Sequence, residues 1–165
     1  MHIAYYISSH GYGHGVRSCD IIRAINRLHP EVGVTITTDM PPAFLHSRLG
    51  ARRNTIRPGS FDVGMVQLDS IRVDVPATLE KVKSLYARKN ELIRSEADFM
   101  REAGVSLVVV DIAALPAEAA KAAGLPVVAV GNFAWDWIYG EFAETNPEWL
   151  PLIREFERGY GMVDL

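Results

Sequence analysis

The sequence predicts one α/β domain with an open, doubly wound, mostly parallel sheet and helices on both faces. Two observations carry that prediction. Short apolar, β-branched runs alternate with longer stretches at helical spacing, the βαβ pattern of a parallel sheet. One of those runs, "VSLVVVDI", is apolar throughout until it ends in an acid, as a strand buried on both faces does.

The elements follow in order. "HIAYYIS" is the first strand. Ile21, Ile22, Ile25 and Leu28 then mark the apolar stripe of a helix, with Arg17, Asp20, Arg23 and Arg27 available for the other face. "VGVTITT" is the second strand, closed by Asp39 and the helix-opening "MPPAFL". "RRNTIRP" and "VGMVQLD" are weaker strand candidates around Pro58-Gly59. Leu79, Val82, Tyr86, Ile93, Ala97 and Met100 fall on one side of a long helical pattern. "PAEAAKAAG" reads as a short helix, with Pro116 near its start and Gly124 just past its end. "LPVVAVGNF" is another buried strand, and the remainder is helical and aromatic. No repeat, low-complexity tract or linker divides residues 1–165, so one domain is expected.

Composition narrows the function. At 165 residues and 48% hydrophobic the chain can build a real core. A net charge of −3, with 17 basic residues spread along the chain, argues against a nucleic-acid partner. No apolar run approaches the roughly 20 residues that span a bilayer, and no signal peptide is read at the N-terminus. Cys19 is the single cysteine, which suits a reducing, cytoplasmic setting.

In doubly wound sheets ligands bind beyond the carboxyl ends of the strands, so the loops there hold the candidate site. "SSHGYGHG" places Gly11 and Gly13 where a tight turn and close backbone approach are needed, ahead of a helix N-terminus. A dinucleotide fingerprint needs a third glycine where Val16 stands, which makes a dinucleotide-binding protein the weaker alternative even with Asp39 after the second strand. No G-K-[ST] follows, so a P-loop is excluded. His10 and His14 are four residues apart, but with glycines between them and no third ligand nearby no metal site is expected. His14 reads either as a helix-capping or solvent-facing residue or as a general base pointing into the crevice. Asp111 reads either as a helix N-cap or as the carboxylate that orients His14. Around Trp135 the aromatics of "NFAWDWIYGEF" are mostly core. One or two of them, with Asn132 and Asp136, are candidates to stack against a sugar. Asp62 and Gln67 lie in "DVGMVQLD", where a solvated loop is the default.

These residues also carry a resemblance. "YYISSHGYGHGVRSCDIIRAI" resembles the first βα unit of GT-B glycosyltransferases, especially the family 28-like group with its G-x-G-H-x-x-R signature. With "DVGMVQLDSIRVD" and "VVVDIAALPAEAAKAAGLPVVAVGNFAWDWIYGEF", the likeness is to the glycosyltransferase-like N-terminal half of plant arabinokinase-type proteins. The resemblance implies a Rossmann-like N-terminal GT-B domain in which His14 is the base and Asp111 its partner. His10, Gly11, Gly13, Arg17, Asp62, Gln67, Asn132, Trp135 and Asp136 would then meet the substrate. It implies a small-molecule or lipid-linked sugar acceptor and no cofactor held by this chain itself. The nucleotide-sugar donor would bind mainly a C-terminal GT-B half that these residues lack. The domain would then be inactive alone, working with that half or with a fused domain. The alternative is a non-catalytic sugar or sugar-phosphate binding module, as in a domain fused to a sugar kinase.

Overall fold

The computed structural model describes residues 1–50 and 54–165; the "RR" that begins one weak strand candidate lies outside them. Among the described residues five strands form one sheet: β1 (His2–Ile7), β2 (Gly33–Thr37), β3 (Thr55–Arg57), β4 (Leu107–Asp111) and β5 (Val127–Ala129). Their order is β3-β2-β1-β4-β5 and every pairing is parallel. The chain walks outward from β1 to β3, then crosses back to lay β4 on the other side of β1. The topological switch therefore falls between β1 and β4, where Ile7 pairs with Asp111 at their carboxyl ends. This is the open doubly wound α/β fold the alternating pattern predicts.

Period-two alternation along β1 feeds two cores. Ile3, Tyr5 and Ile7 pack with α1 (Tyr12–Leu28) and α2 (Pro42–Leu49) on one face. Ala4 and Tyr6 face the other side, toward Met100 and the alanines of α5 (Leu115–Ala122). A third cluster joins Ile112 and Ala114 to the aromatic side chains of α6 (Trp135–Ala143) and α7 (Trp149–Tyr160).

Several elements depart from the sequence reading. α1 begins at Tyr12, inside the glycine-rich stretch, so His14 and Gly15 are helical. Its inward stripe is Gly15, Ser18, Cys19, Ile22 and Asn26, while Leu28 is exposed. Small and polar residues face the sheet because the helix sits close to its neighbours. A Cβ on Gly15 would lie 2.4 Å from Met40 Sδ and 2.5 Å from Phe44 Cε1. The single long helix is two, α3 (Val75–Ala87) and α4 (Lys89–Glu102), broken at Arg88 with φ −99° and ψ 8°. The break lets Leu79 and Val82 join the aromatic cluster while Met100 packs beneath the sheet and Ala97 is buried on the same helix. "VGMVQLD" forms no strand; a single antiparallel bridge, Gln67 to Val73, closes a hairpin-like turn there.

Gly15→Ala tests the close approach of α1 and α2. Both clashing groups are side-chain ends that can yield, so overpacking of about 1–3 kcal/mol is expected. The melting temperature should fall by roughly 2–12 °C; an unchanged melt would show that the helices do not need a glycine here.

Candidate functional site

The site is assembled at the switch point from the loop after β1, the end of β4 and the loops after β3 and β5. Four residues, Ser8 to Gly11, separate β1 from α1. Gly11 makes the turn at φ 148°, a conformation that side chains rarely adopt. α1 then starts with no side-chain cap, and His14, Arg17 and Ser18 follow at helical spacing on the face turned to β4.

Asp111 is fully buried and those three side chains supply its hydrogen bonds. His14 Nδ1 lies 2.7 Å from Oδ1, Arg17 Nη2 donates to the same oxygen at 2.8 Å, and Ser18 Oγ donates to Oδ2 at 2.7 Å. A carboxylate paired with a guanidinium needs a proton on the third group, so Nδ1–H is the tautomer that fits. In the neutral form of that tautomer Nε2 is the acceptor nitrogen. The His14 side chain is 12% exposed, enough for a ligand to reach one edge. It is neither a cap nor a solvent-facing residue. The N-cap reading of Asp111 also fails: Ala114 holds that position of α5, without a side-chain bond.

Arg17 belongs to the cluster and not to the outer face of α1. Besides Asp111 it donates to Asn132 Oδ1 at 3.3 Å and to Val130 O at 3.4 Å, tying α1 to the loop after β5. Asn132 itself is exposed on that loop.

A second histidine–carboxylate pair lies beside the first. His10 Nε2 donates to Asp62 O at 3.0 Å and is 3.5 Å from Asp62 Oδ1. The His10 ring rests on Gly64, where a Cβ would come within 2.3 Å of it. Asp62 is buried and accepts Trp135 Nε1–H at 3.0 Å, so it is no part of a solvated loop. Two aromatic rings link the pairs edge to face: His14 meets Phe133 at 5.8 Å, Phe133 meets Trp135 at 5.4 Å, and Trp135 meets His10 at 6.2 Å. Burial pushes the Asp62 carboxyl above its ordinary range; His10, Ser8, Trp135 and His14 offset part of that rise.

The remaining candidates are placed less centrally. Trp135 is buried, its indole N–H used by Asp62 and its ring stacked on Tyr139 at 5.3 Å. Its faces are core, and the half-buried Phe133 is the ring nearer His14. Gln67 is exposed on the hairpin-like turn. Asp136 is half-buried in the first turn of α6, with Oδ1 buried and unbonded among the described residues. Gly13 is exposed, with open space where a Cβ would stand. Asp39 accepts from Gly59 N–H at 2.9 Å. A cavity of about 180 Å³ opens between Gly11, Tyr12, Asp39 and Pro41, and one of about 310 Å³ between Ile112, Phe133 and Tyr160. No cluster of three or more metal-ligating side chains occurs among the described residues, and no described helix is long and apolar enough to cross a membrane.

The Asp62 environment has a pH signature. A carboxyl that keeps its proton to higher pH when folded than when unfolded loses stability as pH rises through that interval. Asp62→Asn, which keeps an oxygen for Trp135 Nε1–H, should raise the melting temperature near pH 7 and gain less near pH 4. Equal gains at both pH values would contradict the burial effect.

No protein-family model matches the chain. Over 140 residues, 84% of its length, it is 34% identical to L-arabinokinase of Arabidopsis thaliana, and that alignment spans 13% of the relative. Among solved structures, a Listeria monocytogenes protein assigned as a UDP-N-acetylglucosamine 2-epimerase superposes with a TM-score of 0.59 at 11% identity, covering 99% of this chain and 38% of that one. UGT89C1 of Arabidopsis thaliana, complexed with UDP-L-rhamnose, gives 0.55 at 12% identity over 92% and 41%. CalG4, the calicheamicin glycosyltransferase, gives 0.53 at 16% over 88% and 37%. The chain thus spans less than half the length of the proteins it matches. It has the Rossmann-like α/β fold of a part of these GT-B proteins and is similar in sequence to a segment of L-arabinokinase.

Proposed function

We propose that this chain is the acceptor-binding domain of a glycosyltransferase that moves a sugar from a nucleotide sugar to a hydroxyl group. The observation that carries the reading is His14 held by buried Asp111 at the topological switch point, with Nε2 left as an acceptor. In the proposed step the acceptor hydroxyl gives its proton to His14 Nε2 as its oxygen bonds to the anomeric carbon. The nucleotide diphosphate departs with the electron pair of the broken glycosidic bond. Asp111 keeps Nδ1–H in place and offsets the positive charge that forms on the imidazole; Arg17 balances the carboxylate before the proton arrives. Gly11 and Gly13 would let the acceptor approach the backbone, with His10, Asn132 and Phe133 at the rim. Asp62, Trp135 and Asp136 would act from behind that surface, and Gln67 from the neighbouring turn.

No cofactor is assigned to this chain. The donor is assigned to a second GT-B half or fused domain, so these 165 residues alone should bind acceptor without turnover. The acceptor is a small or lipid-linked sugar. A cytoplasmic setting belongs to the same reading, supported by the single, free Cys19.

A second reading is favoured by the relative's identity. L-arabinokinase is named as a sugar kinase, and a segment of it is 34% identical to this chain. The domain would then be a non-catalytic module that binds a sugar or sugar phosphate beside a kinase.

His14→Ala separates the two. In an active full-length protein the loss of a general base should lower sugar transfer by roughly 10²–10⁴-fold, measured as nucleotide release. Normal transfer would overturn the base assignment. Absence of transfer by the full-length wild type, with sugar binding retained, would favour the binding module.

A further inference from the structure

The segment that follows Asp111 is strained, and a residue far along the chain holds it. Ile112 has φ 54°, the one non-glycine residue at positive φ among those described. For a β-branched side chain this is a true outlier and needs support from its surroundings. Ala113 N–H donates back to Asp111 O at 2.9 Å, closing a three-residue turn of the rarer, strained kind. Ile112 itself is buried in the aromatic cluster.

The support comes from α7. Tyr160 Oη donates to Ile112 O at 2.7 Å and accepts from Trp135 N–H at 3.2 Å. Burial raises the phenol further above its ordinary range, so the hydroxyl keeps the proton it donates. The helix reaches this point through Gly159, where a Cβ would lie 2.9 Å from Ala114 Cβ and 3.1 Å from Ala114 O. One hydroxyl therefore links the turn after β4, which carries Asp111, to the start of α6, just after the loop that carries Asn132 and Phe133.

We propose that Tyr160 is a positioning residue: its hydroxyl locks the turn at Ile112 and so aims the Asp111 carboxylate at His14 and Arg17. Without that bond the turn relaxes toward ordinary backbone and Asp111 loses its fixed approach to Nδ1. The inference takes its functional meaning from the reading of His14 as a base, but its test needs no turnover. Its failure would leave that reading standing.

The test is long-range ¹⁵N–¹H correlation of the histidine rings in the 165-residue chain. Wild type should show His14 as a single Nδ1–H tautomer. Tyr160→Phe should turn it into a mixture of tautomers while the rest of the spectrum stays dispersed. Tyr86→Phe is the control, since that hydroxyl is buried in the adjoining core without a hydrogen-bond partner among the described residues. It should leave His14 unchanged. An unchanged His14 in folded Tyr160→Phe, or the same change in both variants, would overturn the proposal. If Tyr160→Phe does not fold, 3-fluorotyrosine at position 160 keeps the ring and a more acidic hydroxyl. The Ile112 carbonyl and His14 Nδ1–H signals should then shift together, and movement of Ile112 alone would overturn the proposal.

Discussion

The buried carboxylate of Asp111 is the constraint on which the site depends. A carboxylate removed from water costs several kcal/mol unless donors replace the lost solvation. Here the donors are His14, Arg17 and Ser18, all from one face of α1. For that face to meet β4, the helix must begin at Tyr12, leaving four residues for the turn out of β1. Gly11 makes so short a turn feasible and Gly15 lets the helix settle against α2. The glycine-rich stretch is thus explained by the geometry of charge compensation as much as by room for a ligand. The same compensation fixes the imidazole tautomer that the proposed chemistry needs.

The sheet was legible because its signals are strong and local. The apolar run that ends in Asp111, the apolar β1 and the helical stretches between strands mark an open, doubly wound parallel sheet; the strand order and its switch point are set by pairing that the sequence does not display. Asp111 was legible for the same reason, since an acid ending a buried strand has few places to go. The helix break at Arg88 left no mark, because no glycine or proline stands there. The inward stripe of α1 was hidden by its composition: Gly15, Ser18 and Asn26 do not read as apolar, yet they are the residues that face inward.

Within the site, the partners of His14 were easier to read than those of His10. Helical spacing puts Arg17 on the outer face of α1 and only the resemblance puts it with the substrate; its guanidinium turns inward because Asp111 is buried there. Asp62 looked solvated because its segment is polar and irregular, whereas Trp135, more than seventy residues later, covers it with an indole N–H. Tyr160 and Ile112 gave no signal at all. A strained turn and a hydroxyl that supports it are tertiary facts, and neither residue type is unusual where it stands.

Two histidine–carboxylate pairs therefore flank Phe133 and Trp135 at the carboxyl edge of the sheet, one compensated by a guanidinium and the other by an indole. Of these groups the partly exposed His14 and His10 and the half-buried Phe133 are open to a ligand, and a hydroxyl-bearing ring is what the proposed function would place on them. The most direct measurement is amide and imidazole chemical-shift mapping of this chain titrated with neutral monosaccharides. Sugar binding at this edge predicts saturable shifts centred on Gly11, His14, Asn132 and Phe133. Shifts confined to other surfaces, or none at saturating sugar, would contradict it.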